Sequence, residues 1–282
     1  MPELPEVETI ARQLRERVLG CRITAIAASW PRSLIGSAGE FEALRGSSIT
    51  GIRRRGKLLI VDTNTDLSIL IHLRMTGQLL LEYDTPPTKF ERVHIDLDGG
   101  WSLHFNDQRK FGRIEVIATK EVASQAFVAS LGPEATDGDA VLKALRFAAP
   151  RRNTPIKALL LDQHVVAGIG NIYADEILFC AKVNPATPAS ALSAVALRRI
   201  SAACPKVLNE AIERRGSTLR DYRDAKGEAG TYLSVARVHG RKGQPCRNCE
   251  EPIRYGSVAG RGTYWCPRCQ RRRARPSGNR GI

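Results

Sequence analysis

At 282 residues, 43% hydrophobic and 26% charged, the chain is long enough for two domains and a small third module, with the composition of an ordinary folded protein. A formal charge of +14 and a pI near 9.9 point to a polyanionic partner, without choosing between DNA, RNA and a membrane surface. No apolar run is long enough to cross a bilayer and the acidic, amphipathic start is not a signal peptide, so a cytoplasmic protein is expected.

The chain opens Met1-Pro2-Glu3-Leu4-Pro5-Glu6. Pro2 is small enough to let the initiator methionine be trimmed, which would leave a secondary amine beside the Glu3 carboxylate. An α-amino group titrates near ~7.7–8.0, so part of it is an unprotonated nucleophile at neutral pH. Attack on a sugar aldehyde carbon gives an iminium ion that acidifies the neighbouring carbon and opens a route to elimination. The plainer reading is a proline-rich helix start. Val7, Ile10, Leu14 and Val18 at helical spacing predict a helix over 5–19, stopped by Gly20.

Strand-like runs follow at 21–29, 49–55, 57–62, 67–73, 78–83, 92–97, 101–105 and 113–118, with Gly99-Gly100 as a hairpin turn. Short punctuated strands predict a β-sandwich or barrel with the first helix packed on it. The texture changes at Leu131-Gly132-Pro133, after which helices are predicted over 139–148, 154–162, 171–181 and 190–214, the last kinked or broken at Pro205. Residues 216–236 lack periodicity and read as a mobile loop. The expected organisation is α+β and multidomain: a catalytic β-sandwich over 1–131, a linker and helix over 132–150, a helical domain over 151–236, a finger over 237–270 and a basic tail over 271–282. Eleven Lys/Arg against Glu250 and Glu251 lie in 241–282, so the excess charge gathers at the C-terminal end.

Cys246-x2-Cys249 and Cys266-x2-Cys269, sixteen residues apart, have the spacing of a zinc site. Two thiolate pairs can hold one tetrahedral ion, and four thiolates leave no open position for catalysis, so the zinc is read as structural. Disulfides compete with this reading and are disfavoured in a cytosolic chain. Cys21, Cys180 and Cys204 read as core residues.

Lys57, after Arg53-Arg54-Arg55-Gly56, is either a solvated edge or a phosphate clamp. The turn Gly168-Ile169-Gly170-Asn171 ahead of a helix offers amide groups to an anion, or is simply a tight turn. Met75, Arg109 and Phe111 sit at strand ends, where an exposed side chain could wedge into a base stack and core packing is the alternative. Arg261, at the tip of the finger's loop, reads equally as a surface charge. His94 and His72 are candidates for phosphate contact, while His104, His164 and His239 read as structural.

Taken together, these stretches resemble the bacterial formamidopyrimidine-DNA glycosylase family from Pro2 to about Gln270. The resemblance is carried by PELPEVET at the start, RRRGK around Lys57, HLRMTG around Met75, DQRKFG around Arg109, LLLDQ…GIGNIYADE around Asn171, and GRGTYWCPRCQ in the finger. It implies an N-terminal β-sandwich, a helix–two-turn–helix domain, a C-terminal β-hairpin zinc finger, and DNA lying between the halves. It further implies Pro2 as the nucleophile at C1′ and Glu3 as the acid that protonates the deoxyribose oxygen. Lys57, Asn171 and Arg261 correspond to groups holding phosphates around an extruded nucleotide, and Lys157 to a lysine near the damaged nucleotide. Met75, Arg109 and Phe111 correspond to the wedge filling the space that nucleotide leaves. The partner implied is double-stranded DNA containing oxidised bases, engaged by a monomer in the bacterial cytoplasm with one structural Zn2+. The PELPE start and the DQRKFG wedge favour oxidised purines over the oxidised pyrimidines of the sister group. A zinc-finger DNA-binding protein without activity is the alternative from another class. His104, where tyrosine is expected, and the arginine-rich tail depart from the pattern.

Overall fold

The computed structural model describes residues 1–271. Beyond Arg271, the basic tail expected over 271–282 lies outside the described residues.

Two compact units emerge: Met1–Ser130 with Ala211–Tyr232, and Leu131–Glu210 with the chain from Leu233 onward. In the first, α1 (Leu4–Val18) leads into strands β1 (Ile23–Ala28), β2 (Leu34–Ile35), β3 (Ile49–Arg55), β4 (Leu58–Thr63), β5 (Leu67–His72), β6 (Gly77–Tyr83), β7 (Glu91–Leu97), β8 (Trp101–Asp107) and β9 (Arg113–Ala118). These form a four-stranded sheet ordered β1-β7-β8-β6 and a five-stranded sheet ordered β2-β9-β5-β4-β3. The expected strands all form. The short β2 and the helix α2 (Ala38–Glu42) were missed because two- and five-residue elements carry no periodic signal.

One apolar core joins both sheets and the helix. Val93, Ile95, Leu103 and Phe105 from the four-stranded sheet meet Leu59, Val61, Ile69 and Ile71 from the other. Val7, Ile10, Leu14 and Val18, the predicted stripe, fill the same core. A polar tie fixes the helix further. Glu8 accepts from Arg54 on β3 at 3.0 Å and from Arg15 at 3.2 Å. Burial pushes the Glu8 carboxyl up, but these guanidiniums more than offset it and hold the group below its ordinary range.

In the second unit, α4 (Gly138–Ala148), α5 (Ile156–Leu161), α6 (Asn171–Cys180) and most of α7 (Ala194–Glu213) precede the hairpin β10 (Arg254–Val258) and β11 (Arg261–Trp265); α3 (Ala126–Ser130) closes the first unit. Pro205 lies inside an unbroken α7, so of the expected kink or break the break does not occur. The Ser201 carbonyl that loses its amide partner there faces Gly138, 3.2 Å from where a Cβ would stand, so no side chain crowds the spot.

Residues 211–232, expected with the helical domain, instead pack in the first unit, because their polar groups find partners on α1. Ser217 N donates to Glu6 Oε1 at 2.6 Å, the Tyr222 hydroxyl to the Glu6 carbonyl at 3.3 Å, and Ala225 N to Gln13 Oε1 at 2.8 Å. The buried Asp224 accepts from Gln13 Nε2 at 2.9 Å and from the amides of Lys226 and Glu228. Gly216, at φ +78°, lies so close that a Cβ would stand 2.6 Å from Glu6 Oε1. Gly216→Ala is expected to lower unfolding free energy by ~1–3 kcal/mol in urea titrations, since the backbone is left-handed and Glu6 is held at both oxygens.

Candidate functional site

The N-terminal turn is built around buried carboxylates. Glu3 caps α1, and its amide donates to Glu6 Oε2 at 2.8 Å. With Ser217 N on the other oxygen, Glu6 fixes Pro2 and Glu3 just ahead of the helix. There the partial positive charge of the helix end favours anions and a neutral amine. Pro2 and Glu3 are both buried with Met1 attached. Lys57 is also buried, in the tight turn Arg55-Gly56-Lys57-Leu58 between β3 and β4, where Gly56 has φ +56°.

His72 stands across from Leu58 on β5, and its Nδ1 accepts from Arg74 N at 3.1 Å. Burial, with Arg74 and Lys57 nearby, drives its pKa down to about 3. A neutral imidazole contributes no charge to a phosphate, so His72 serves as a local acceptor.

Met75, Arg109 and Phe111 come together at the ends of the four-stranded sheet. Arg109 Nη1 lies 3.2 Å from Met75 Sδ, and its guanidinium carbon lies 4.8 Å from the Phe111 ring centre. Met75 and Phe111 remain 46% and 47% exposed, so the core-packing alternative fails for both. Buried Asp107 supports the group: Thr76 Oγ1 donates to Oδ1 at 2.6 Å, Arg109 N to Oδ1 at 3.2 Å, and Gly112 N to Oδ2 at 2.7 Å.

In the second unit, Asn171 opens α6 and donates from Nδ2 to the Gly262 carbonyl at 3.0 Å, leaving its buried Oδ1 without a hydrogen bond. Arg261 is exposed where β11 leaves the tight turn Ala259-Gly260, both at positive φ. The hairpin tip is thereby held beside the α6 N-terminus, an end that favours anions.

The four expected zinc ligands converge. Cys246 and Cys269 sulfurs are 3.9 Å apart, and Cys249 lies 3.5 Å from both Cys266 and Cys269. A tetrahedron with Zn–S near 2.3 Å has edges of roughly 3.8 Å. Amides of Asn248 and Cys269 point at the sulfurs of Cys246 and Cys266, as suits thiolates. No cysteine is in a disulfide. Gln270 seats this knuckle by accepting from Cys266 N and donating to the Val183 carbonyl, each at 2.9 Å.

Comparison with known proteins agrees with this geometry. Residues 1–114 match the formamidopyrimidine-DNA glycosylase N-terminal domain, 131–223 the formamidopyrimidine-DNA glycosylase H2TH domain, and 243–272 the zinc finger found in FPG and IleRS. The chain belongs to the formamidopyrimidine-DNA glycosylase family. It is 45% identical over 273 residues to the formamidopyrimidine-DNA glycosylase of Chloroflexus aurantiacus, covering 96% of this chain and 98% of that one. The MutM (Fpg) protein of Thermus thermophilus superposes with a TM-score of 0.86 at 39% identity, over 95% of this chain and 98% of that one. A complex of Lactococcus lactis Fpg with DNA containing an abasic site superposes at 0.87 and 36% identity, over 96% and 100%.

Within this glycosylase family member, Lys157 and His94 have protein partners. Lys157 is 0% exposed, and its ammonium sits 2.7 Å from Asp175 Oδ1 and 2.9 Å from both the Gly262 carbonyl and Thr263 Oγ1. These bonds tie the hairpin tip to α5 and α6. His94 has Nε2 at 2.7 Å from Asp96 and Nδ1 at 3.4 Å from Glu91. Burial opposes its charge, yet the two carboxylates win and raise its pKa; the same carboxylates would repel a phosphate.

The supporting residues Glu6, Asp107, Asp175 and Glu176 escaped the sequence reading. Asp175 holds His239 Nδ1 at 2.9 Å, and Glu176 accepts from the amides of Arg237, Val238 and His239, anchoring the segment that leads into the finger. Each lies within a recognised motif, which was the only available signal.

Two outcomes are expected. Because His72 is neutral in the fold and titrates near 6.5 when unfolded, its stabilising contribution is complete above that pH and is lost as pH falls from 6.5 towards 3. Unfolding free energies of His72→Gln should therefore vary less across that window than those of the parent chain. Chelation should release the zinc held by Cys246, Cys249, Cys266 and Cys269 and melt the hairpin, seen by NMR, while the β-rich transition persists.

Proposed function

We propose that this chain is a bifunctional repair enzyme that excises oxidised purines, 8-oxoguanine and formamidopyrimidines, from duplex DNA and then cleaves the abasic site. The observation that carries the chemistry is the placement of Pro2 and Glu3 ahead of α1 by Glu6. Removal of Met1 frees the Pro2 nitrogen. The nitrogen attacks C1′, the C1′–base bond breaks, and Glu3 delivers a proton to the ring oxygen as the sugar opens. The resulting iminium acidifies C2′. Proton loss there expels the 3′ phosphate, and a second elimination expels the 5′ phosphate.

The half-exposed Met75, Arg109 and Phe111 fit the task of filling the stack while the damaged nucleotide is extruded. Lys57, Asn171 and Arg261 are assigned to the phosphates, whose contacts position the duplex without reading sequence. The net charge of +14 suits such a partner. The Lactococcus relative's complex with abasic-site DNA supports the lyase half of the reading. A chromosomal substrate would be met in the bacterial cytoplasm, and no described helix is long and apolar enough to cross a membrane.

Borohydride should link the mature chain covalently to an 8-oxoguanine:cytosine duplex, and Pro2→Gly should weaken that link. A form retaining residues ahead of Pro2 should form none; undiminished trapping would place the nucleophile elsewhere. Excision from thymine glycol duplexes, run in parallel, should be slower than from 8-oxoguanine. Met75→Ala with Phe111→Ala should slow excision from duplex by ~10-fold or more, unstacking being worth a few kcal/mol, yet spare cleavage of abasic sites in single strands.

A further inference from the structure

We propose that the four-stranded sheet carries a second metal site, separate from the cysteine cluster, in which Glu91, His94 and His104 hold a first-row divalent ion of the Zn2+ class. One ligand atom from each residue lies within 4.8 Å of the others. Glu91 Oε2 is 2.5 Å from His104 Nδ1 and 3.4 Å from His94 Nδ1, and the two rings meet edge to face at 4.6 Å.

Strand register brings the three residues together. His94 on β7 pairs directly with His104 on β8, so both rings project from one face. Glu91, three residues before His94, would point to the opposite face of a regular strand. The register shift between Glu91 and Val93 re-aims it onto the histidines.

The surroundings are those of a ligated pair of imidazoles. A histidine bound through one nitrogen turns the other N–H to a carboxylate. His94 Nε2 lies 2.7 Å from Asp96 Oδ1, which Ser102 Oγ steadies at 2.9 Å. His104 Nε2 lies 3.9 Å from Glu82 Oε2. His104 is only 1% exposed, and this Nε2 makes no hydrogen bond. Without an ion, a neutral His104 that donates from Nδ1 to Glu91 leaves its buried Nε2 without a proton or a partner. An ion on both Nδ1 atoms and Glu91 lets each Nε2 keep its proton, that of His94 facing Asp96 and that of His104 lying 3.9 Å from Glu82. Ligands near 2.1 Å from a tetrahedral ion are roughly 3.4 Å apart. The Glu91–His94 spacing meets this already, and the Glu91–His104 spacing would widen by about an ångström. Two imidazoles and a carboxylate leave a fourth position for water. The ion would pin the bulged start of β7 to β8.

The test is equilibrium dialysis of the untagged full chain against Zn2+, with zinc counted per chain. Two ions are expected for the parent, and one each for Glu91→Gln and His104→Gln, both checked for fold by circular dichroism. Asp96→Asn should keep the second ion with affinity roughly 10–100-fold weaker. Co2+ at this site should add d–d bands without thiolate charge transfer. A parent chain that saturates at one zinc, or a second zinc that persists in folded variants of both residues, would overturn the assignment; the parent stoichiometry decides even if the variants misfold.

Discussion

The Glu6 carboxylate is the contact on which the N-terminal turn depends. Its two oxygens accept from Glu3 N and Ser217 N, and its backbone carbonyl accepts from Tyr222. A buried carboxylate left unpaired would be costly, so these amides are obligatory partners. The same bonds that remove the penalty fix Pro2 and Glu3 at the head of α1. They also hold residues 211–232, far away in sequence, within the first unit. The nucleophile proposed at Pro2 needs placement to a fraction of an ångström, and a side chain pinned at both oxygens supplies it.

The second unit repeats the device with opposite emphasis. Lys157 and Asp175 form a buried ion pair, with Gly262 and Thr263 taking up further hydrogen-bonding capacity of the ammonium. Burying charges contributes little net stability even when paired, while losing one partner is severe. What the pair achieves is specificity of arrangement. Through Gly262 it sets the hairpin tip, and with it Arg261, beside Asn171. Glu176 does the same for residues 237–239 through three backbone amides. Lys157 and Glu176 thus act on the arrangement of other groups in this unit.

Electrostatics separates the histidines by environment. His72, buried near Lys57 and Arg74, stays neutral, whereas His94, between Glu91 and Asp96, is held towards its charged form. The sequence made both candidates for phosphate contact. The deciding quantity is the sign of the nearest charges, and those arrive from other strands.

Much of the architecture was legible before any coordinates. Alternation marked the strands, 3.6-residue spacing marked α1 and the helical region, and paired cysteines marked the finger, because each signal is local and periodic. The motifs around Pro2, Met75, Arg109 and Asn171 named the family for the same reason, since short-range chemistry is written in short-range order. Three matters needed the tertiary structure. Which unit residues 211–232 join depended on Glu6 and Gln13, some 200 residues away. Whether Lys157 and His94 reach solvent depended on Asp175, Gly262, Glu91 and Asp96. The meeting of Glu91, His94 and His104 depended on one strand bulge. Burial and charge neighbourhood are sums over the whole packed chain, so a sequence determines them only by folding.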